Sequence, residues 1–97
     1  MPTFITLMNF TEQGVRNIKD TTKRAEAFKE QAREAGLYMT HVYWTMGSYD
    51  VVAICEARDE ATATAALISL VAAGNVRTQT LRAFSSEEMN RILSASG

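Results

Sequence analysis

The first apolar segment alternates with a period of two residues, the spacing of side chains along a β-strand. Residues 2–9 place Phe4, Thr6 and Met8 on one face and Ile5 and Leu7 with Asn9 on the other. β-Branched and aromatic residues favour a strand, so this segment is predicted as strand one. Turn residues follow from Asn9 to Gly14, with Thr11 placed to cap a short helical turn.

Three later segments have the spacing of helices. Residues 21–35 repeat apolar residues at intervals of three and four opposite a charged side, which predicts an amphipathic helix. Asp59 is placed to cap a second helix through Ala72, which has no charged side. Ser85 and Glu88 have the spacing of a capping box before a C-terminal helix with an apolar face, formed by Met89, Ile92 and Leu93.

A β-hairpin is predicted over residues 37–57. Strand two, residues 37–46, places Met39, His41, Tyr43 and Thr45 on one face and Thr40, Val42, Trp44 and Met46 on the other. Gly47 and Ser48 fit a two-residue loop, so that residues 49–57 form strand three. Strand three is apolar on both faces, with Asp50 near its start. By parity Asp50 shares a face with Val52 and lies opposite Tyr49.

Residues 76–84 complete the pattern as strand four, and the order βαββαβ with an added C-terminal helix predicts an α+β, ferredoxin-like fold. Right-handed crossovers place both helices on one face of a four-stranded antiparallel sheet. The other face is left uncovered, although strands one, two and three are apolar on both sides. We therefore expect a second copy of the chain to cover it, as in a dimeric α/β barrel or a higher homo-oligomer.

Composition narrows the protein class. The 97 residues, 46% of them hydrophobic, are predicted to form a single domain over residues 1–97. A net charge of −1 argues against binding to nucleic acid or to an anionic membrane surface. The uncharged run over residues 61–73 is too short for a membrane span, which needs about 20 residues. The single Cys55 and the lack of a recognisable signal segment indicate a cytoplasmic protein.

Several segments together resemble the GYD domain family, small proteins of largely uncharacterised function. The resemblance runs from Met1 to about Leu93, and its named signature corresponds to Gly47-Ser48-Tyr49-Asp50. The other segments that carry it are residues 6–14, residues 43–46, residues 56–59 and residues 74–84. The resemblance implies a ferredoxin-like domain of the dimeric α/β barrel kind, without agreed catalytic residues.

Candidate chemistry is sparse, and each polar residue also has a structural interpretation. The ligand-binding candidates are the polar and aromatic residues predicted at the sheet: Asn9, His41, Trp44, Tyr49, Asp50 and Arg82. One histidine and one cysteine make a metal site improbable, and no metal or other cofactor is predicted. Cys55 is interpreted as a core residue, and neither a nucleophile with its base nor a nucleotide-binding glycine motif is present.

Asp50 has three interpretations. Its carboxylate could stabilise the hairpin by accepting hydrogen bonds from turn amides or from a Thr or Arg of a neighbouring strand. It could act as a base or ligand group in a half-buried pocket. It could also pair with an arginine across a subunit interface. We favour the structural role.

Three function classes follow. We favour a homo-oligomeric domain that binds a small molecule or serves in assembly, by analogy with ferredoxin-like effector domains. One alternative is a cofactor-independent oxygenase or isomerase acting on a small aromatic or apolar substrate, with Asn9, His41 and Trp44 as residue types found in such pockets. The other is a purely structural oligomer. Whether the protein is an enzyme stays open at this level.

Overall fold

The computed structural model describes all residues from Met1 to Gly97. The strands are β1 (Thr3–Phe10), β2 (Tyr38–Trp44), β3 (Val51–Glu56) and β4 (Val76–Ala83). The helices are α1 (Glu12–Arg16), α2 (Thr21–Glu34), α3 (Glu60–Ala72) and α4 (Ser86–Ala95), with a 3-10 turn at Ile18–Asp20 before α2. The predicted α+β order is therefore present.

One antiparallel sheet has the strand order β2-β3-β1-β4, which is the ferredoxin-like arrangement. The two central strands are neighbours in space but not in sequence, because α2 and α3 each return the chain across the same face of the sheet. The fold predicted from the sequence is confirmed.

The core lies between the sheet and these two helices. It consists of apolar side chains from the helix-covered face of the strands, from the inner sides of α2 and α3, and from the connections next to them: Phe4, Met8, Phe28, Ala32, Leu37, Met39, Val51, Ala53, Cys55, Ala57, Ala63, Ala66, Leu67 and Val76. Thr6 is the one buried polar residue, and its hydroxyl is satisfied by a hydrogen bond to the Thr80 hydroxyl at 3.1 Å. Cys55 is a core residue, as its position in the strand predicted.

Three helix starts follow the sequence signals closely, whereas Asp20 before α2 makes no side-chain capping bond. Thr11 caps α1 by accepting a hydrogen bond from the Gly14 amide, and Asp59 caps α3 by accepting one from the Thr62 amide. The predicted capping box is present at α4, where the side chains of Ser85 and Glu88 accept hydrogen bonds from each other's backbone amides. Capping satisfies amide groups that a helix start otherwise leaves unpaired.

The β2–β3 hairpin differs from the prediction in two ways. Its loop contains the six residues 45–50 rather than Gly47 and Ser48 alone, and it is closed by a hydrogen bond from the Thr45 amide to the Asp50 carbonyl. Gly47 does adopt the predicted positive φ, at 113°. The two-residue loop was wrong because Thr45 and Met46 do not belong to strand two, and Tyr49 and Asp50 do not belong to strand three.

A β-bulge in β2 corrects the predicted faces of that strand. The register shifts between Met39 and His41, so that Met39 is buried under the helices while His41 is on the opposite face. One unpaired residue in a strand reverses the alternation beyond it. The prediction that Met39 and His41 share a face was therefore wrong, whereas the separation of His41 from Trp44 is confirmed.

Candidate functional site

The sheet face opposite α2 and α3 is apolar at its centre. Ile5 and Leu7 of β1 pair directly with Ile54 and Val52 of β3, and all four side chains are half-buried in the isolated chain. Leu81 extends this surface on β4. We call the surface formed by Ile5, Leu7, Val52, Ile54, Leu81 and Tyr43 the open sheet face.

Aromatic and polar side chains border the open sheet face. On β2, the rings of His41 and Tyr43 stack with their centroids 6.1 Å apart, and Tyr43 is 53% exposed. At the hairpin end, the Tyr49 hydroxyl donates to Gln79 Oε1 at 3.2 Å. Gln79 lies on the open side of β4, so the Tyr49 side chain reaches the open sheet face. Strand parity had predicted Tyr49 on the face opposite Val52, which would be the helix side. Asn9 is on this side too, in register with Arg77.

Helix α4 is amphipathic but has little to pack against within the chain. None of its residues is buried, and Met89, Ile92 and Leu93 are 41%, 40% and 57% exposed. The radius of gyration is 14.5 Å, larger than the roughly 13 Å expected of a compact chain of this length, and the longest dimension is 51 Å. The helix therefore extends from the body with its apolar side uncovered.

Asp50 is held at the end of strand β1. Its Oδ2 accepts a hydrogen bond from the Phe10 amide at 2.9 Å, and its own amide donates to the Met8 carbonyl at 2.9 Å. The structural interpretation of Asp50 predicted turn amides or a Thr or Arg as partners, but the partner is a backbone amide of β1. Within this chain no arginine pairs with Asp50.

Trp44 is on the other side of the sheet, at the edge of a cleft between α2 and α3. Its indole Nε1 donates to the Thr21 hydroxyl at 3.0 Å. The cleft has a volume of about 240 Å³, and its floor includes Met8 and Val51 of the central strands. Trp44 and His41 thus face two different regions, and they cannot form one site within a single chain.

Arg82 contacts neither the cleft nor the open sheet face. Its guanidinium lies over the Phe84 ring at 4.5 Å and is 3.6 Å from Glu60 Oε1. It is on the helix side of β4, whereas Arg77 is on the open side. Its carboxylate partner is Glu60 of α3, which is largely exposed to solvent.

The single cysteine and the single histidine lie in different environments. Burial raises the pKa of the Cys55 thiol to about 11, which leaves it protonated and unreactive near neutral pH. His41, the single histidine, is exposed and contacts the Thr40 hydroxyl rather than a carboxylate. No three His, Cys, Asp or Glu side chains converge in a way that could hold a metal ion.

Sequence reasoning missed the cleft and the arginine in its wall. Arg24 lies four residues before the buried Phe28, which places the two side chains on one side of α2. This spacing was the available signal, but a single arginine next to an apolar face is usually a solvated edge residue.

None of the helices combines the length and apolar composition that a bilayer crossing requires.

Comparison with known proteins identifies the family. The family model described as "GYD domain" matches residues 4–93. A Thermus thermophilus protein named "Glutamine synthetase and cystathionine beta-lyase binding protein" is 37% identical over 84 residues, covering 86% of this chain and 88% of that protein. The crystal structure of TTHA0845, also from Thermus thermophilus, superposes with a TM-score of 0.58 at 25% identity, over 89% of this chain and 96% of the other. The chain belongs to the GYD domain family.

Proposed function

We propose that this chain is a non-catalytic protein-binding module that works as a homo-oligomer, with residues 1–97 as its single domain. The observation that carries the proposal is the combination of an uncovered apolar sheet face with an uncovered amphipathic helix α4. A cytoplasmic location is part of the same proposal.

Helix α4 supplies the first step. A helix of ten residues is marginal in water on its own, because helices shorter than about 12 residues do not recover the cost of nucleation. Capping by Ser85 and Glu88 helps but does not bury an apolar side. For α4 to be stable, its apolar side therefore has to pack against a surface outside its own chain.

The open sheet face supplies the second step. Its centre is formed by aliphatic side chains of β1 and β3, with aromatic groups on β2, and contiguous apolar surface of this kind is typical of association sites. We propose that a second copy of the chain covers this face, because a two-fold symmetric dimer packs the same apolar surface of both copies together. Helix α4 then packs on that second copy.

The kind of partner protein is the third step. The related Thermus protein is named for binding glutamine synthetase and cystathionine β-lyase, which supports a role in binding enzymes. The protonated Cys55, the exposed His41 and Asp50, which accepts from the Phe10 amide, do not contact one another as a catalytic acid and base would. Binding, rather than turnover, is the function that this geometry supports best.

Self-association is tested by measuring molar mass in solution with light scattering after size exclusion. We expect at least twice the chain mass of 10.7 kDa for the wild type and a shift towards the monomer for Leu81→Lys, which places a charge on the open sheet face. Val15→Lys is the matched control, because Val15 is an exposed aliphatic residue of α1. A wild-type mass of 10.7 kDa at all concentrations would refute the homo-oligomer.

Enzyme binding is tested with purified glutamine synthetase and cystathionine β-lyase from the organism that encodes this chain. We expect the immobilised chain to bind at least one of them in biolayer interferometry, and the oligomer-competent Val15→Lys to bind like the wild type. Absence of binding to both enzymes would contradict the enzyme-binding part of the proposal while leaving the homo-oligomer to its own test.

A further inference from the structure

We propose that the cleft between α2 and α3 is a binding site for a small carboxylate with an apolar body, anchored by Arg24. This site is on the helix side of the sheet, so it is separate from the open sheet face and does not depend on the proposed association.

The cleft exists because the two helices diverge. Helix α2 packs mainly against β2, and α3 packs mainly against β4, which leaves a gap above the two central strands. Met8 and Val51 form the floor of the gap, Phe28 lines it from α2, and Leu70 lines it from α3. Its volume of about 240 Å³ has room for a small ligand of roughly ten non-hydrogen atoms.

Arg24 determines the charge of the ligand. It is the only charged residue that lines the cleft, and it takes part in none of the ion pairs of the structure. One guanidinium nitrogen, Nη1, donates to the Asn17 carbonyl. The other, Nη2, is buried and has no hydrogen-bond partner, so a ligand in the cleft reaches it after a small shift of the Arg24 side chain. A buried donor without a partner costs free energy, and a cationic donor is best satisfied by an anionic oxygen.

The remaining walls determine the body of the ligand. Twelve of the 17 lining residues are hydrophobic, so an extended polar or multiply charged ligand would lose its hydration without compensation. A single carboxylate with an aliphatic chain satisfies both parts of the site, because its oxygens accept from Arg24 and its chain covers the apolar floor. Octanoate has this chemistry and this size.

Trp44 provides a direct measurement, because it is the only tryptophan of the chain and lies at the cleft. Octanoate and the uncharged 1-octanol are titrated against the full chain, with Trp44 fluorescence and heat of binding as readouts. We expect both readouts to report octanoate binding, roughly ten- to a hundredfold tighter than octanol, which is the usual range for a charge-assisted hydrogen bond.

Three variants test the role of each part of the site. Arg24→Gln should lower octanoate affinity to that for octanol, whereas Lys23→Gln, the matched control at an exposed neighbouring residue, should leave the preference unchanged. Ala27→Phe fills the cleft from an exposed position of α2 and should abolish binding of both compounds. Thermal unfolding of each variant is measured alongside to establish that it is folded.

Three results would overturn the proposal. The first is the absence of any fluorescence change and any heat with octanoate. The second is equal affinity of the wild type for octanoate and octanol, and the third is an unchanged preference in folded Arg24→Gln. If Ala27→Phe binds octanoate like the wild type, the ligand lies elsewhere and the assignment to the cleft is equally wrong.

Discussion

Asp50 Oδ2 accepts a hydrogen bond from the backbone amide of Phe10 at 2.9 Å, across 40 positions of sequence. The bond joins the loop before β3 to the last residue of β1, where the β1–β3 ladder has already ended at Met8 and Val51. The carboxylate therefore replaces a carbonyl that the ladder no longer supplies. This contact gives the aspartate of the Gly-Tyr-Asp signature a structural reason to be in this position.

Removing the Asp50 carboxylate should destabilise the fold. In Asp50→Ala the half-buried Phe10 amide loses its partner, and we expect the free energy of unfolding in urea to fall by about 1 to 3 kcal/mol. Asp50→Asn keeps an acceptor oxygen and should fall by less. Asp20→Ala is the control, because Asp20 precedes α2 without making a side-chain capping bond. Equal stability of Asp50→Ala and Asp20→Ala would contradict the role of this bond.

The Cys55 thiol should reduce stability at alkaline pH. Its pKa is raised to about 11 in the folded chain by burial, whereas an unfolded cysteine ionises near pH 8.5. The thiol is protonated in both states below that pH, so stability is unaffected there. As pH rises from about 8.5 to 11 only the unfolded state loses the proton, and stability falls by up to about 3 kcal/mol.

Other groups also titrate in this range, so the measurement is a difference. The free energy of unfolding of the wild type minus that of Cys55→Ala should decrease steadily between about pH 8 and pH 11. A difference that is independent of pH would show that burial does not hold the thiol in its protonated form.

The contribution of Asp59 to stability should have the opposite pH dependence, because it is lost when the pH falls into the acid range. Hydrogen bonds from the Thr62 amide and hydroxyl lower the pKa of Asp59 below its ordinary value. The stabilisation is therefore present above the unfolded pKa of about 4 and is lost as pH falls through the lower folded pKa. Asp59→Asn keeps an N-cap acceptor without a titratable group, so its melting temperature should decrease less than that of the wild type between about pH 6 and pH 2.

Glu26→Gln is a useful control for this experiment, because Glu26 is an exposed carboxylate of α2 that forms no ion pair and caps no helix. If the melting temperatures of the wild type and Asp59→Asn fall in parallel as the pH is lowered, the Thr62 hydrogen bonds are equally strong with the charged and the neutral form of Asp59.

The sequence was sufficient for the elements and their order, because three of the four helices begin with a capping side chain and most strand residues alternate with a period of two. Thr11, Asp59 and Ser85 all cap the helices that they were predicted to cap. The bulge beside His41 could not be predicted from the sequence. Whether a strand residue is left unpaired depends on its pairing with the neighbouring strand, and the local pattern of apolar residues does not reveal it.

The site was less predictable than the fold for a related reason. The partner of Asp50 is a backbone amide 40 positions away, and backbone groups carry no sequence signal. The cleft depends on the separation of α2 from α3, which is a property of packing rather than of either helix. Arg24 lines a cleft only because the two helices are separated. Beside closely packed helices its side chain would extend into solvent.

Gly14 should tolerate no side chain. A Cβ at this buried position of α1 would overlap the Asn75 carbonyl oxygen, a backbone atom that also accepts a hydrogen bond from the Thr11 amide. Gly14→Ala must therefore displace the connection between α3 and β4, and we expect a loss of about 1 to 3 kcal/mol in urea unfolding. Val15→Ala, at an exposed neighbour, is the comparison; a smaller loss for Gly14→Ala than for Val15→Ala would contradict the close approach.

Helix α4 should acquire its protection from hydrogen exchange through association. Its apolar side is uncovered within one chain, so in the monomer its amides should exchange nearly as fast as those of a free peptide, while those of α2 stay protected. Dilution of the wild type through its dissociation range should therefore accelerate exchange in α4 but not in α2. Ile92→Lys places a charge on the apolar side and should leave α4 unprotected at high concentration as well. Ser94→Lys adds the same charge to the polar side of α4 and should behave as the wild type. Protection of α4 in the Ile92→Lys chain would mean that the helix is stable without a second surface.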